Sequence, residues 1–185
     1  VLQPLASSEA VLSQDERDLG VVMVDIGGGT TDIAIFVDGG IWHIGVIAIG
    51  GNQVTGDIAI GLRTPTTGAE ELKKKYGCAL ASLINESEEI SVPGVGGRSD
   101  RTVPRRAIAE IIQPRMEEIF ELVVQEIRAN GFEDKVASGI VLTGGASLLE
   151  GIVELSEKVT GMPTRIGTPI GIGGLVDVVN NPIYA

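Results

Sequence analysis

The residues best suited to chemistry surround three consecutive glycines, Gly27–Gly29. Asp25 ends the β-branched run before them, and Thr30 and Thr31 begin the apolar run after them. Glycines that join two strands let backbone N–H groups approach an anion, because no Cβ stands in the way. The Asp25 carboxylate would lie where a divalent cation could be held against that anion, although a strand-end aspartate is also a common turn residue. The pattern predicts a phosphate-binding turn.

Two further glycine clusters resemble the first. One opens a predicted helix, and the other lies between a predicted strand, Gly139–Leu142, and a predicted helix, Ser147–Thr160, where amides and the helix dipole would favour an anion. The sequence has no GxxxxGK[ST] motif, which excludes a P-loop. A dinucleotide-binding fingerprint would need its third glycine at the position of Asp32. We expect Asp32 itself to form hydrogen bonds with the local backbone. The first of these clusters comprises Gly50, Gly51 and Asn52, and the second comprises Gly144, Gly145 and Ala146.

The other candidate residues are less specific. Glu70 and Lys73 are three residues apart on a predicted helix, and this spacing alone indicates a surface ion pair. His43 and Cys78 are single residues of their type, so they indicate neither a metal site nor a catalytic triad. A basic cluster could be a solvated surface or a docking site for an acidic peptide. It comprises Arg98, Arg101, Arg105, Arg106 and Arg115.

Composition limits the function classes. The chain has 185 residues and a formal net charge of −11, from 25 acidic and 14 basic residues. This charge, with only 3% aromatic residues, argues against nucleic-acid binding. No apolar run approaches the ~20 residues that would span a bilayer. The single cysteine fits a reducing compartment, so we expect a soluble, cytoplasmic chain.

The elements that must position these residues alternate between strand and helix. A short polar helix is expected over Leu5–Arg17, and Pro114 is expected to kink or restart a long amphipathic helix running from Ile108 to Ile127. A helix is expected from Thr66 to Gly77. The predicted strands are Val21–Ile26, Thr31–Val37, Ile41–Ile49, Glu89–Val92, Gly139–Leu142 and Thr164–Ile166.

Five motifs in order, DIGGGTTD, GGN, AEELKKKYGCA, VPGVGGR and IVLTGGAS, resemble the FtsA family of bacterial cell-division proteins, which are actin-like ATPases. The resemblance implies an α/β fold, an actin-like ATPase (ribonuclease H-like) lobe with a mixed sheet flanked by helices and an inserted α+β subdomain. It implies that residues 1–53 and 137–185 form subdomain IIA, without the last helix expected after Pro182. Residues 54–136 would then form subdomain IIB.

The resemblance also implies roles for individual residues. Asp25 would contact Mg²⁺ through water, and Gly27, Gly28, Gly29, Thr30 and Thr31 would hold the phosphates of ATP. The adenosine would lie at Gly144, Gly145 and Ala146, with Glu70 and Lys73 at the adenine and ribose, which reverses the surface-pair interpretation. Gly50, Gly51 and Asn52 would also bind the nucleotide. Four arginines would receive the C-terminal tail of FtsZ, namely Arg98, Arg101, Arg105 and Arg115.

The resemblance further implies an ATP-binding lobe of a protein that tethers FtsZ filaments to the inner face of the cell membrane at the division septum. That protein would self-assemble into actin-like filaments, contact other divisome proteins and reach the membrane through a segment absent from this chain. The whole protein would be a weak ATPase or an ATP-dependent switch, and this chain alone would carry no catalytic residue. Two alternatives stay open: a lobe of another actin-fold ATPase or small-molecule kinase, and a pure interaction module whose glycine turns are relics.

Overall fold

The computed structural model describes residues 2–169, and the secondary structure within them alternates as the sequence predicts. The strands are β1 (Val21–Ile26), β2 (Thr31–Val37), β3 (Gly40–Ile47), β4 (Glu89–Val92), β5 (Arg101–Pro104), β6 (Ile140–Thr143) and β7 (Thr164–Ile166). The α-helices are α1 (Leu2–Val11), α2 (Gln14–Leu19), α3 (Gly51–Gly61), α4 (Thr66–Tyr76), α5 (Arg105–Ala129) and α6 (Ile152–Thr160). Two 3₁₀ turns cover Ala81–Leu83 and Gly145–Leu148.

The main sheet is mixed and has the strand order β3-β2-β1-β6-β7. β1 and β2 pair antiparallel, as do β2 and β3, whereas β1, β6 and β7 are parallel. The parallel arrangement brings the carboxyl ends of β1 and β6 to the same edge, where the two main glycine turns follow them. This edge is therefore the natural place for a ligand in a sheet of this type.

β1 is buried along its whole length because the sheet is covered on both faces. Alternate residues point to opposite faces of a strand, and β1 follows this rule. Val22 and Val24 pack in a large apolar cluster with helices α3 and α5, whereas Val21 and Met23 pack in a smaller cluster with the end of α1. The mixed sheet flanked by helices confirms the predicted architecture.

The long helix α5 contributes much of the large cluster. Six of its eight fully buried residues recur every three or four positions, as the sequence pattern predicts: Ile108, Ile112, Met116, Ile119, Val123 and Ile127. Pro114 lies inside α5 without ending it, so the helix does not restart there, and the alternative, a kink at Pro114, stays a prediction. β4 and β5 form a separate two-stranded hairpin, and β5 has no counterpart among the predicted strands. The predicted division of the chain at residues 54 and 136 stays a prediction.

Two predicted helices are broken in the structure. The expected helix over Leu5–Arg17 is two helices, because Ser13 caps the second one by accepting a hydrogen bond from the Glu16 amide. The expected helix over Ser147–Thr160 starts only at Ile152, because Gly151 before it adopts a left-handed conformation with φ of 73°. The helix expected after Pro182 lies outside the described residues. Within residues 2–169, no helix is both long and apolar enough to cross a bilayer.

Candidate functional site

A cavity of about 320 Å³ lies at the edge of the sheet where β1 and β6 end. Its walls come from the β1–β2 turn, the first turn of α3, one face of α4 and the 3₁₀ turn after β6. Eight of the predicted nucleotide-binding residues line it, although they come from four separate segments of the chain. These are Gly27, Gly28, Gly51, Asn52, Glu70, Lys73, Gly145 and Ala146.

The β1–β2 turn exposes backbone amides. The Gly27 amide donates to the Thr30 carbonyl at 2.9 Å. Within residues 2–169, the next three amides, of Gly28, Gly29 and Thr30, donate to no backbone carbonyl, and all three residues are exposed. A Cβ built on Gly29 would meet no atom within 4 Å. Successive unpaired amides with open space before them suit the binding of an anion.

The start of α3 supports this turn. The Gly51 amide donates to the Gly27 carbonyl at 2.8 Å, and the Asn52 amide donates to the Gly28 carbonyl at 2.7 Å. A Cβ on Gly50 would lie 2.6 Å from the Gly27 carbonyl oxygen, so no larger residue fits there without a shift. The first amides of α3 are therefore occupied by the turn. Gly50 and Gly51 position the turn through backbone contacts, and Asn52 adds a side chain beside Gly28.

The turn after β6 packs directly on the end of β1. Gly144 has a φ of 82°, and a Cβ there would lie 2.5 Å from Asp25 Oδ1 and 2.6 Å from the Ile26 carbonyl oxygen. Ser147 Oγ donates to the Gly144 carbonyl at 2.7 Å and closes the 3₁₀ turn. No α-helix begins at Ser147, so the predicted helix dipole at this point is wrong. The turn offers backbone to the cavity at Gly145 and Ala146 instead.

Two carboxylates lie side by side at the end of the sheet. Asp25 on β1 pairs in register with Asp32 on β2, and both are buried. Ser7 Oγ donates to Asp25 Oδ2 at 3.0 Å, and Thr30 Oγ1 donates to Asp32 Oδ2 at 3.2 Å. Asp32 thus accepts from a side chain rather than from the local backbone that the sequence suggested. Thr31 is buried and its hydroxyl donates to the Ile49 carbonyl at 2.8 Å, so this side chain is directed towards the segment that follows β3.

Glu70 and Lys73 form a network with α3, not an isolated surface pair. Lys73 Nζ lies 2.7 Å from Glu70 Oε2, and it donates to the Gly51 carbonyl at 2.9 Å and to Thr55 Oγ1 at 2.8 Å. Thr55 Oγ1 also contacts Glu70 Oε2, and its one proton can serve either this carboxylate or the Gly51 carbonyl. Burial by itself raises the pKa of Glu70, but the hydrogen bonds from Lys73 and Thr55 outweigh it and lower that pKa.

Comparison with known proteins decides the family. The family model described as "Cell division protein FtsA" matches residues 22–185. This chain belongs to the FtsA family. It is 56% identical over its full length to FtsA of Pseudomonas aeruginosa and 42% identical, over 99% of the chain, to FtsA of Bacillus subtilis. It spans 44% and 40% of these relatives, so it corresponds to less than half of their length.

Solved structures show the same fold at lower identity. MreB5 of Spiroplasma citri superposes with a TM-score of 0.72 at 21% identity, over 98% of this chain and 56% of that one. The MamK double helical filament gives a TM-score of 0.65 at 15% identity, over 98% of this chain and 57% of the other. The predicted actin-like ATPase fold is thereby confirmed. Membership of the FtsA family also removes the small-molecule kinase from the alternatives.

The arginines that the FtsA resemblance selects do not form one free patch. Arg98 is exposed on the loop between β4 and β5. Arg101, also exposed, donates to the Leu62 carbonyl. Arg115 pairs with Asp57 on α3 at 2.7 Å.

Arg105 has the most internal contacts of the four. It donates to the Tyr76 carbonyl at 3.1 Å and pairs with Glu88 and Glu150. It lies ten residues from Arg115 on α5, or about 15 Å along the helix axis. A single docking surface containing all four arginines stays a prediction.

Several site residues are absent from the sequence-based set, including Val54, Lys74 and Gly77, which line the cavity. Thr55 links Glu70 and Lys73 to α3, and its only sequence signal is its position one helical turn after Gly51. Leu148 and Leu149 line the cavity directly after the second glycine turn. Ser7 reaches Asp25 from a separate helix, 18 residues away, and no local pattern indicates it.

Proposed function

We propose that this chain is the nucleotide-binding lobe of an FtsA-family protein and that its cavity binds ATP with Mg²⁺. The observation that carries the proposal is the meeting of an amide-rich glycine turn and an apolar wall in one cavity. The turn suits phosphates, and the wall, with Leu148 and Leu149, suits a base. MreB5 of Spiroplasma citri, which shares the fold, has crystal structures bound to ADP and to AMPPNP.

The donor set fits a Mg²⁺ ion bound largely through water and phosphate. Within residues 2–169, no group of three or more His, Cys, Asp or Glu side chains could cage a metal. Mg²⁺ commonly keeps several waters and uses one or two carboxylates together with the phosphates of its substrate. Asp25, with Asp32 beside it, supplies carboxylates of this kind next to the glycine turn. Mg²⁺ would supply charge neutralisation of the phosphates there.

The experiment places a methyl group where the phosphates are expected. In the full-length protein, Gly29→Ala should leave the unfolding temperature unchanged, because the new Cβ meets no atom within 4 Å and the backbone φ is not positive. Its affinity for Mg²⁺-ATP, measured by isothermal titration calorimetry, should fall at least about tenfold, equivalent to about 1.4 kcal/mol. Affinity for adenosine, which lacks phosphates, should not change.

A matched glycine elsewhere provides the control. Gly56 lies within α3, and a Cβ there also meets no atom within 4 Å. Gly56→Ala should therefore keep the wild-type affinity for Mg²⁺-ATP. The proposal fails if Gly29→Ala binds Mg²⁺-ATP as tightly as the wild-type protein does.

We also propose that the whole protein tethers FtsZ filaments to the inner face of the membrane at the division site and self-assembles into actin-like filaments. Membership of the FtsA family and the likeness to the MamK double helical filament support self-assembly. The docking surface for the C-terminal tail of FtsZ would include the exposed side chains of Arg98 and Arg101. Arg105 and Arg115 would contribute where a partner carboxylate replaces one of their internal contacts.

Charge reversal tests the docking surface. Arg98→Glu combined with Arg101→Glu should weaken binding of a synthetic FtsZ tail peptide by at least about tenfold. The control combines Arg128→Glu with Lys135→Glu, which makes the same total charge change at two exposed basic residues near and beyond the end of α5. Equal binding by the double variant and the control would remove Arg98 and Arg101 from the docking surface.

A further inference from the structure

We infer that Arg105 positions the base-side wall of the cavity, which we define as Gly77, Leu148 and Leu149, and that it thereby sets the affinity for the base of the nucleotide. The inference rests on the proposed nucleotide site and assigns Arg105 a role within the chain. It also supplies a physical connection between the cavity and the β4–β5 hairpin.

Arg105 bridges the two segments that form this wall. Its Nε donates to the Tyr76 carbonyl at 3.1 Å, and its Nη2 donates to Glu150 Oε2. Tyr76 is the residue before the first wall residue, and Glu150 is the residue after the last one. Nη1 donates to Glu88 Oε2 at 2.9 Å, so one guanidinium holds three acceptors from three parts of the chain. A planar group with several fixed donors is well suited to such a bridge.

The Arg105 end of the bridge is largely buried, whereas its two carboxylate partners are about half exposed, and close packing reinforces the bridge. The Arg105 side chain is 17% exposed, so its charge-assisted hydrogen bonds are less screened than those of a surface pair. The Ala79 amide donates to the Glu150 carbonyl at 2.8 Å across the same junction. A Cβ on Gly77 would lie 2.8 Å from Leu149 Cδ2, which shows how closely the two wall segments approach. A small displacement of either segment therefore changes the wall.

The contacts of Arg105 are confined to one side of the cavity. The phosphate-side turn is held instead by α3, through the Gly51 and Asn52 amides. Losing the Arg105 bridge should therefore affect the base and leave the phosphates in place. On its other side, the Arg105 amide donates to the Glu88 carbonyl at 2.8 Å, one residue before β4 begins. A partner that moves the β4–β5 hairpin would thus act on the base-side wall.

Truncated ligands separate this role from a general loss of stability. In the full-length protein, Arg105→Gln should weaken Mg²⁺-ATP binding by between about five- and 150-fold, the usual range of coupling between sites. Binding of Mg²⁺ with inorganic triphosphate, which has no base, should not change. Arg105→Lys keeps the charge but cannot reach three acceptors, so its ATP affinity should be intermediate.

The neighbouring arginine is the matched control. Arg106 bonds only to surface carboxylates among the described residues, with Glu110 at 3.0 Å and Glu86 at 3.6 Å. Arg106→Gln should leave the affinities for both ligands at their wild-type values. If Arg105→Gln does not fold, Glu150→Gln replaces a charged acceptor of the bridge with a neutral amide at a half-exposed position and should give the same selective loss of ATP affinity.

Each outcome has a definite meaning. Unchanged ATP affinity in folded Arg105→Gln, or in Glu150→Gln where the first variant does not fold, overturns the inference. An equal loss of affinity for ATP and triphosphate also overturns it, because the effect would then be general loosening. A wild-type protein that binds neither ligand contradicts the proposed function itself, and a wild-type protein that binds triphosphate and ATP equally contradicts only the role of the base-side wall.

Discussion

Gly50→Ala tests whether the contact between α3 and the glycine turn holds the site together. The new Cβ would lie 2.6 Å from the Gly27 carbonyl oxygen and 2.8 Å from the Gly28 carbonyl oxygen. Both are backbone atoms, so they cannot move aside as a side chain can. The φ of Gly50 is −160°, which alanine adopts readily, so the whole effect comes from lack of space. The turn and the helix must separate by roughly half an ångström to relieve the contact.

This separation lengthens the two hydrogen bonds that join α3 to the turn, from Gly51 at 2.8 Å and from Asn52 at 2.7 Å. Each such bond contributes a net 0.5–1.5 kcal/mol to stability, so losing both lowers the free energy of unfolding by about 1–3 kcal/mol. For a domain of about 150–250 residues, this corresponds to a fall of about 2–12 °C in Tm. Nucleotide affinity should fall as well, because the turn is displaced.

Thermal unfolding and calorimetric titration of Gly50→Ala measure both effects, with Gly56→Ala as the control. Gly56 lies in the same helix and has open space, so alanine there should raise stability by up to about 1 kcal/mol through its better helix propensity. The reasoning is refuted if Gly50→Ala unfolds at the wild-type temperature. It is equally refuted if the Gly56→Ala control loses as much stability as Gly50→Ala.

Three further predictions concern single side chains. Cys78 is fully buried, and burial raises the pKa of its thiol. A thiol reagent should therefore label Cys78 only after denaturant unfolds the protein. Fast labelling of the native protein would contradict this. Ser13 caps α2 through its side chain, and its amide also donates to Glu16 Oε2 at 2.8 Å. Ser13→Ala removes the side-chain cap and should lower the free energy of unfolding, measured with denaturant, by about 1 kcal/mol. Ser99→Ala in an exposed loop is the control and should not change that free energy measurably. Although burial by itself raises the pKa of Glu70, its hydrogen bonds lower that pKa overall. Its stabilising effect is therefore present above the ordinary glutamate range and is lost as pH falls through the lowered pKa. Stability of Glu70→Gln should decrease less than that of the wild-type protein below about pH 4.5, and identical acid profiles would contradict this.

Local patterns predicted the elements whose signals are local. The continuous apolar runs of the first two strands follow from a sheet that is covered on both faces, and β1 and β2 have the predicted bounds. The start of the helix expected from Ser147 was misplaced because it depends on the left-handed Gly151, which a sequence cannot distinguish from an ordinary helix-start glycine. β5 was missed because four residues rich in arginine and proline resemble a strand only when a partner, β4, is present.

The site was predictable as a set of residues but not as a set of contacts. The glycine turns and Glu70 are visible in the sequence, and the structure brings them into one cavity. The partners of Arg105 are 17, 29 and 45 residues distant in the chain, so spacing could not show that this arginine is an internal bridge. The residues alone left its role open, and only the resemblance to the FtsA family placed it on a partner surface.

The glycines around the cavity divide into two kinds that look alike in the sequence. At Gly50 and Gly144, a Cβ would lie within 2.6 Å of backbone or carboxylate oxygen, so glycine is needed there to let two segments touch. At Gly29 and Gly145, a Cβ would meet no atom within 4 Å of the chain itself. The lack of a side chain at the second pair has no explanation in the packing of this lobe. On the proposed function, a nucleotide that approaches the backbone accounts for these two glycines, whereas Gly56, equally open but within α3 and outside the cavity lining, should tolerate alanine. Alanine at Gly29 or Gly145 should therefore impair binding without impairing folding.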